Sequence, residues 1–244
     1  MDFYCDIETI PDQSEGALEE VLEAIEAPAA MKKAETIEAW HNGEGKYAGV
    51  KLQAAETEWK KTGLSGTRGE IICISFALGD RDVINVGRTT EEAEASLLKD
   101  FFAAVEYELQ AIADDSRIGG GYAPKISKKI SKWIGHNITG FDLRFLWQRC
   151  VLNNVKPPFE IPYKAKPWDN TVFDTMVEWA GLHGKDKSQD AICKAMGYDG
   201  KGDIDGSKVW DYAKAGRYQE IYDYCDDDVE KVRLMHKRMT FTGE

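Results

Sequence analysis

Residues 2–11 read DFYCDIETIP, and half of them, Phe3, Tyr4, Ile7, Thr9 and Ile10, are aromatic or β-branched. Such a run predicts a strand from about residue 2 to residue 10, stopped by Pro11. Side chains two apart on a strand share one face and lie about 6.6 Å apart along it. Asp6 and Glu8 therefore point to the same side, and Ile7 points the other way, toward a core. Two carboxylates so placed suit a divalent cation held between them, or a pair of ions bridged by them. Asp-x-Glu also arises by chance in many acidic chains, so its meaning depends on what the remaining sequence brings beside it.

This chain is acidic. Of its 244 residues, 43 are Asp or Glu and 31 are Lys or Arg, a net charge of −12. That balance argues against a protein that coats nucleic acid or anionic membrane by bulk attraction. The acids are unevenly spread. The first 31 residues carry nine acids and no Lys or Arg, and residues 220–230 carry six and none. With 43% apolar and 30% charged residues, the chain has the composition of a soluble globular protein, long enough to bury a core without staples. Cys5, Cys73, Cys150, Cys193 and Cys225 are widely spaced with no CxxC pair, so no zinc knuckle is available. They read as reduced thiols of a cytoplasmic protein. No signal-peptide pattern opens the chain and no run approaches 18 apolar residues, so no membrane is expected as a partner.

Residues 14–26 (SEGALEEVLEAIE) have the apolar spacing of a helix, and polar, mostly helical sequence continues to Arg68 with a break at Gly43, Gly45 and Gly49. Residues 70–78 (EIICISFAL) read as a buried strand, turned at Gly79-Asp80 into a second strand at 83–86. Thr90 is the expected cap of a helix carrying Leu97, Leu98, Phe101, Phe102 and Val105. Trp133 to His136 reads as a short strand and residues 141–150 (FDLRFLWQRC) as a helix. A strand end runs into a helix around Asp174, with helices at 188–196 and 221–239 beyond it. No repeat or linker divides the chain. We expect one domain over residues 1–244, with a mostly helical insertion at about 14–68, and an α/β fold with helices on a central sheet.

Two further acids stand at informative places. In GHNITGFDLRFL (residues 135–146), Asp142 opens a helix that is apolar almost all round, so a charge there needs a partner. A first-turn Asp also stabilises a helix by itself. In IYDYCDDDVEKV (residues 221–232), Tyr224 and Asp228 stand at i and i+4, on one helix face. Asp226 and Asp227 cannot share that face and are expected toward solvent. As an ordered set, Asp-x-Glu, Asn137 with Phe141-Asp142, and Tyr-x-x-x-Asp resemble the DEDD superfamily of 3′–5′ exonucleases. Residues 188–239 resemble the stand-alone exonucleases related to the proofreading domain of family-B DNA polymerases.

The resemblance implies an RNase-H-like mixed sheet flanked by helices, and a hydrolase that releases nucleoside 5′-monophosphates from a free 3′ end. Its cofactors would be two divalent cations, Mg²⁺ or Mn²⁺, held by Asp6, Glu8, Asp142 and Asp228. With Tyr224 four residues before Asp228, it implies the tyrosine (DEDDy) branch. Single-stranded DNA is the expected nucleic-acid partner, and an exoribonuclease or a non-catalytic nucleic-acid-binding relative are the alternatives. Ile7, His136, Asn137 and Phe141 are candidate substrate contacts, with Tyr163 and Trp168 as further stacking candidates. Lys125, Lys128, Lys129 and Lys132 form the most concentrated basic run, followed by Lys164 and Lys166. Asp174 reads as a supporting acid, not a ligand. The acidic loop at 198–206 fails as a calcium loop, because Lys201 would occupy its first ligand position.

Overall fold

The computed structural model describes residues 1–47, 49–118, 129–185, 187–200 and 204–242, with backbone only at 115–118. Its elements run β1 (Asp2–Ile10), α1 (Ala17–Ala24), α2 (Ala34–His41), α3 (Val50–Lys60), β2 (Glu70–Leu78), β3 (Ile84–Gly87), α4 (Glu94–Ile118) and β4 (Lys132–Gly135). They continue with α5 (Asp142–Leu152), β5 (Val172–Asp174), α6 (Thr175–Ala180), α7 (Gln189–Ala195), α8 (Val209–Lys214) and α9 (Tyr218–Met239). Two compact units result. One comprises Met1–Thr9 with Ile71–Glu244, the other Ile10–Glu70.

The larger unit is built on a five-stranded sheet in the order β3-β2-β1-β4-β5. β1 pairs parallel to β4, with Tyr4 opposite Ile134, and β4 parallel to β5; β2 and β3 pair antiparallel. Strand alternation sorts the core into two faces. Phe3, Cys5 and Ile7 pack with Leu97, Leu98, Phe101 and Phe102 of α4 and with Leu143, Phe145 and Leu146 of α5. Tyr4, Ala77 and Ile134 pack with Val229, Val232 and Met235 of α9 and Ile192 of α7. The result is the α/β layout of an RNase-H-like domain, a mixed sheet flanked by helices. Among the described residues, no helix is long and apolar enough to cross a membrane.

Two local readings change. Thr90 does not cap α4, because its hydroxyl hydrogen-bonds the Tyr218 phenol (2.9 Å) and the chain turns through residues 88–92 before the helix begins at Glu94. Asp226 does not face solvent. It accepts hydrogen bonds from the Ser75 hydroxyl (2.6 Å) and the Asn85 amide (3.1 Å), tying α9 to β2 and β3. Asp227 is half-exposed and pairs with Lys231.

Glu94 is a buried carboxylate with four donors. Arg149 Nε and Nη2 reach it at 2.9 and 2.7 Å, Asn153 Nδ2 at 2.6 Å and the Ile71 N–H at 2.7 Å. Removing the cation strands a desolvated charge between α4, α5 and β2. Arg149→Met is expected to cost about 3–5 kcal/mol. Urea denaturation checks this, and a loss below about 1 kcal/mol would show that Glu94 is not held by that pair.

The Ile10–Glu70 unit packs α1 against α3 with Trp40 and Ala55 buried. Its chain breaks where expected: Gly43, Gly45 and Gly49 all have positive φ (65°, 56° and 79°). α1 begins three residues later than Ser14, because the Ser14 hydroxyl bonds Asp12 (2.6 Å) and Gly16 turns the chain at φ 79°. Arg68 joins Asp12 to Glu20 and closes the unit.

Candidate metal centre

β1 delivers Asp6 and Glu8 on the face that carries Tyr4, and α9 crosses that same face. α9 brings Asp228 to them: one carboxylate oxygen from each of Asp6, Glu8 and Asp228 lies within 4.8 Å of the others. Glu8 and Asp228 are buried (7% and 3% exposed), and Asp6 is half-buried. The donor set is all carboxylate oxygen, which suits Mg²⁺ or Mn²⁺ and not a thiolate or imidazole zinc site.

Tyr224 sits one turn before Asp228 and hydrogen-bonds its carboxylate. Burial, then the charges of Glu8, Asp228 and Asp6, push its phenol far above the ordinary range, so it stays protonated. Cys225, next along the helix, donates its thiol to the carbonyl and to Oδ2 of Asp6, both at 3.6 Å. From α7, the Gln189 amide donates to the Asp228 carbonyl at 2.8 Å. Sequence reasoning missed Cys225 and Gln189, since neither contact has a local signature.

Asp142 lies beside this group rather than inside it. Its Oδ1 accepts the N–H of Ile7, the residue between Asp6 and Glu8, at 3.3 Å. Burial raises its pKa to about 7, with Asp174 and Asp228 adding to the rise against the N–H donors of Asp142 and Ile7. The ordinary value is 3.8, so the metal-free fold holds a proton that the unfolded chain has already lost. This contribution to stability therefore falls as pH rises from about 4 through about 7, and the penalty is fully present above that. Melts in EDTA at pH 5 and pH 7.5 are expected to drop further for wild type than for Asp142→Asn. Equal drops in the two proteins would refute this.

The loop before Asp142 is held by Asp174. One of its oxygens accepts the Asn137 N–H (2.9 Å), and the other accepts the Thr139 N–H (3.1 Å) and hydroxyl (2.6 Å). The same side chain caps α6 through the N–H groups of Met176 and Val177. Asn137 takes φ 61°, and its carbonyl receives the N–H groups of Gly140 and Phe141, which turns the chain into α5. The signal for this was present as an Asp-Thr pair at a helix start.

The other candidate contacts are dispersed. The Ile7 side chain is in the core, so its N–H is what it presents. His136 directly follows β4, and its Nδ1 bonds the Thr175 hydroxyl at 3.0 Å. Phe141 is half-buried against Phe145, with ring centroids 5.2 Å apart. Lys132 pairs with Asp2, four residues and about 13 Å before Asp6. Lys129 is exposed just ahead of it, while Lys125 and Lys128 lie outside the described residues.

A mixed RNase-H-like sheet with acids gathered on its first strand and closing helix is the layout of a nuclease. Residues 110–244, more than half of the chain, match the family described as a predicted 3′–5′ exonuclease related to the exonuclease domain of PolB, and the chain belongs to that family. No curated protein matches it. The matched residues include Asp142, Tyr224 and Asp228; Asp6 and Glu8 precede them in sequence, and the fold brings these two to Asp228. Membership implies a nucleic acid substrate and divalent metal.

Proposed function

We propose that the protein is a metal-dependent 3′–5′ exonuclease of the tyrosine branch that removes nucleoside 5′-monophosphates from single-stranded DNA. The observation that carries this reading is the convergence of Asp6, Glu8 and Asp228 within 4.8 Å, with the Tyr224 phenol on Asp228. Two divalent ions, Mg²⁺ or Mn²⁺, would supply an activated water and neutralise charge on the phosphate and the departing 3′ oxygen. Asp6, Glu8 and Asp228 would hold them, with Asp142 as the fourth acid. Tyr224 orients the attacking water by hydrogen bonding and does not deprotonate it, because a phenol, with an ordinary pKa of about 10, is a poor base at pH 7. Five unbridged, buried cysteines fit a reducing, cytoplasmic setting.

Digestion of 3′- and 5′-labelled DNA and RNA oligonucleotides with Mg²⁺ or Mn²⁺ tests the activity. The expected pattern is stepwise loss from the 3′ end of single-stranded DNA. Preferential digestion of RNA would transfer the same chemistry to an exoribonuclease, and absence of cleavage with either metal would overturn the reading. Tyr224→Phe is expected to lower kcat by about 10²-fold with little change in KM, the usual scale for loss of one preorganised hydrogen bond at the reacting centre. A KM change without a kcat change would move Tyr224 from water to substrate.

A further inference from the structure

Residues 143–168 invert the charge balance of the chain. Against one acid, Glu160, they carry Arg144, Arg149, Lys156, Lys164 and Lys166. Arg149 is committed to buried Glu94, and the other four cations are exposed. Aromatic rings are interleaved with them. Trp147 of α5 and Tyr163 lie nearly parallel, with centroids 4.1 Å apart and planes at 11°. The Arg144 guanidinium and the Lys164 ammonium each stand 5.4 Å from the Tyr163 ring centroid. Trp168 is 69% exposed. Trp147 and Tyr163 rest in part on the core, but core packing asks for neither of the flanking cations nor for an exposed indole.

This cluster starts beside the acidic site. Asp142 is the first residue of α5, and at 1.5 Å per residue Arg144 and Trp147 lie about 3 and 8 Å farther along the helix axis. Cations that meet phosphates, alternating with rings on which bases stack, are the composition that grips single strands without regard to sequence. In a chain of net charge −12, such a surface favours a polyanion over an acidic protein partner only where stacking is also offered, and here it is.

We infer that Arg144, Tyr163, Lys164, Lys166 and Trp168 form a subsite for the nucleotides upstream of the 3′ end held at Asp6, Glu8 and Asp228. The occupant is single-stranded DNA, its phosphates on the cations and a base on Trp168. The inference rests on the exonuclease reading, yet it has a readout that does not need cleavage. Binding of fluorescent oligo-dT of twelve nucleotides to Asp228→Asn protein is measured by anisotropy over a salt series. The comparison proteins carry Arg144→Ala with Lys164→Ala, or Trp168→Ala, in the same background. All three positions are on the surface or at its edge, and melting curves confirm equal folding. Each variant is expected to raise Kd about tenfold or more. Loss of the two cations is also expected to flatten the slope of log K against log salt by about 1.4, at about 0.7 per single-strand phosphate contact. In the active enzyme, kcat/KM falls for a dodecamer and is unchanged for a dinucleotide, which is too short to reach the cluster.

Kd within twofold of the parent and an unchanged salt slope would overturn the subsite, even if the enzyme digests DNA normally. An inactive enzyme that nonetheless binds through Arg144 and Lys164 would overturn the exonuclease reading and leave the subsite standing. Failure of the parent protein to bind any oligonucleotide would overturn both.

Discussion

Asp6→Asn and Asp228→Asn are each expected to lower turnover of a 3′-labelled oligonucleotide on the order of 10³-fold, the scale lost when a preorganised charge-stabilising group is removed from an active site. Each is also expected to leave the metal-free protein as stable as wild type or more stable. The two effects have one cause. With one oxygen of each acid within 4.8 Å of the others, unit charges repel by about 3 kcal/mol per pair or more at an effective dielectric of about 20, and Glu8 and Asp228 are nearly shut off from water. Asn keeps the shape and removes one charge, which relieves the apo fold and removes a donor from the cation. Wild type is therefore expected to melt higher in Mn²⁺, by about 2.7 kcal/mol at a hundredfold excess over Kd, and the variants to lose most of that rise. Activity within tenfold of wild type would sink the assignment. So would a variant that melts several degrees lower yet keeps its full response to Mn²⁺, since that pattern belongs to a structural acid.

What the sequence made legible was periodic. Asp6 and Glu8 two apart on a strand, and Tyr224 and Asp228 four apart on a helix, announce their shared faces because backbone geometry repeats. The mixed sheet with flanking helices follows from the same patterns. The misreadings concern partners far along the chain. Thr90 reads as a helix cap until Tyr218, 128 residues later, takes its hydroxyl. Asp226 reads as solvated because helical spacing points it away from Asp228; Ser75, 151 residues earlier, is what draws it inward. The same holds for Cys225 beside Asp6. Local periodicity assigns a face, and only the packing of distant elements decides whether that face meets water or a partner. The −12 charge is a case in point: at β1 and α9 it is a gathered carboxylate cluster, whereas residues 143–168 are basic.

Asp174 couples these two levels, and its removal matches the loss of Arg149 as the largest structural effect expected outside the acid cluster. It is fully buried and accepts five hydrogen bonds, three from the loop that leads to Asp142 and two from the first turn of α6. Asp174→Ala leaves those donors without their acceptor and takes the cap from α6, an expected loss of about 3–5 kcal/mol. Asp174→Asn is graded. An amide keeps an acceptor for Asn137, Met176 and Val177 but sets a donor against the N–H of Thr139, whose hydroxyl can turn to accept from it, for about 1–3 kcal/mol. Thr139→Val removes only one bond and is expected to cost about 1 kcal/mol. Because the loop sets where α5 begins, activity per folded molecule follows the same order, and the Mn²⁺ concentration needed for half-maximal rate rises along it. Removing the Asp174 charge also lowers the Asp142 pKa, since that charge helps to raise it. The pH-dependent loss of stability in EDTA then shifts to lower pH in Asp174→Asn. Stability lost with metal response and pH dependence unchanged would make Asp174 a helix cap and nothing more; all three moving together make it the residue that holds Asp142 at the site.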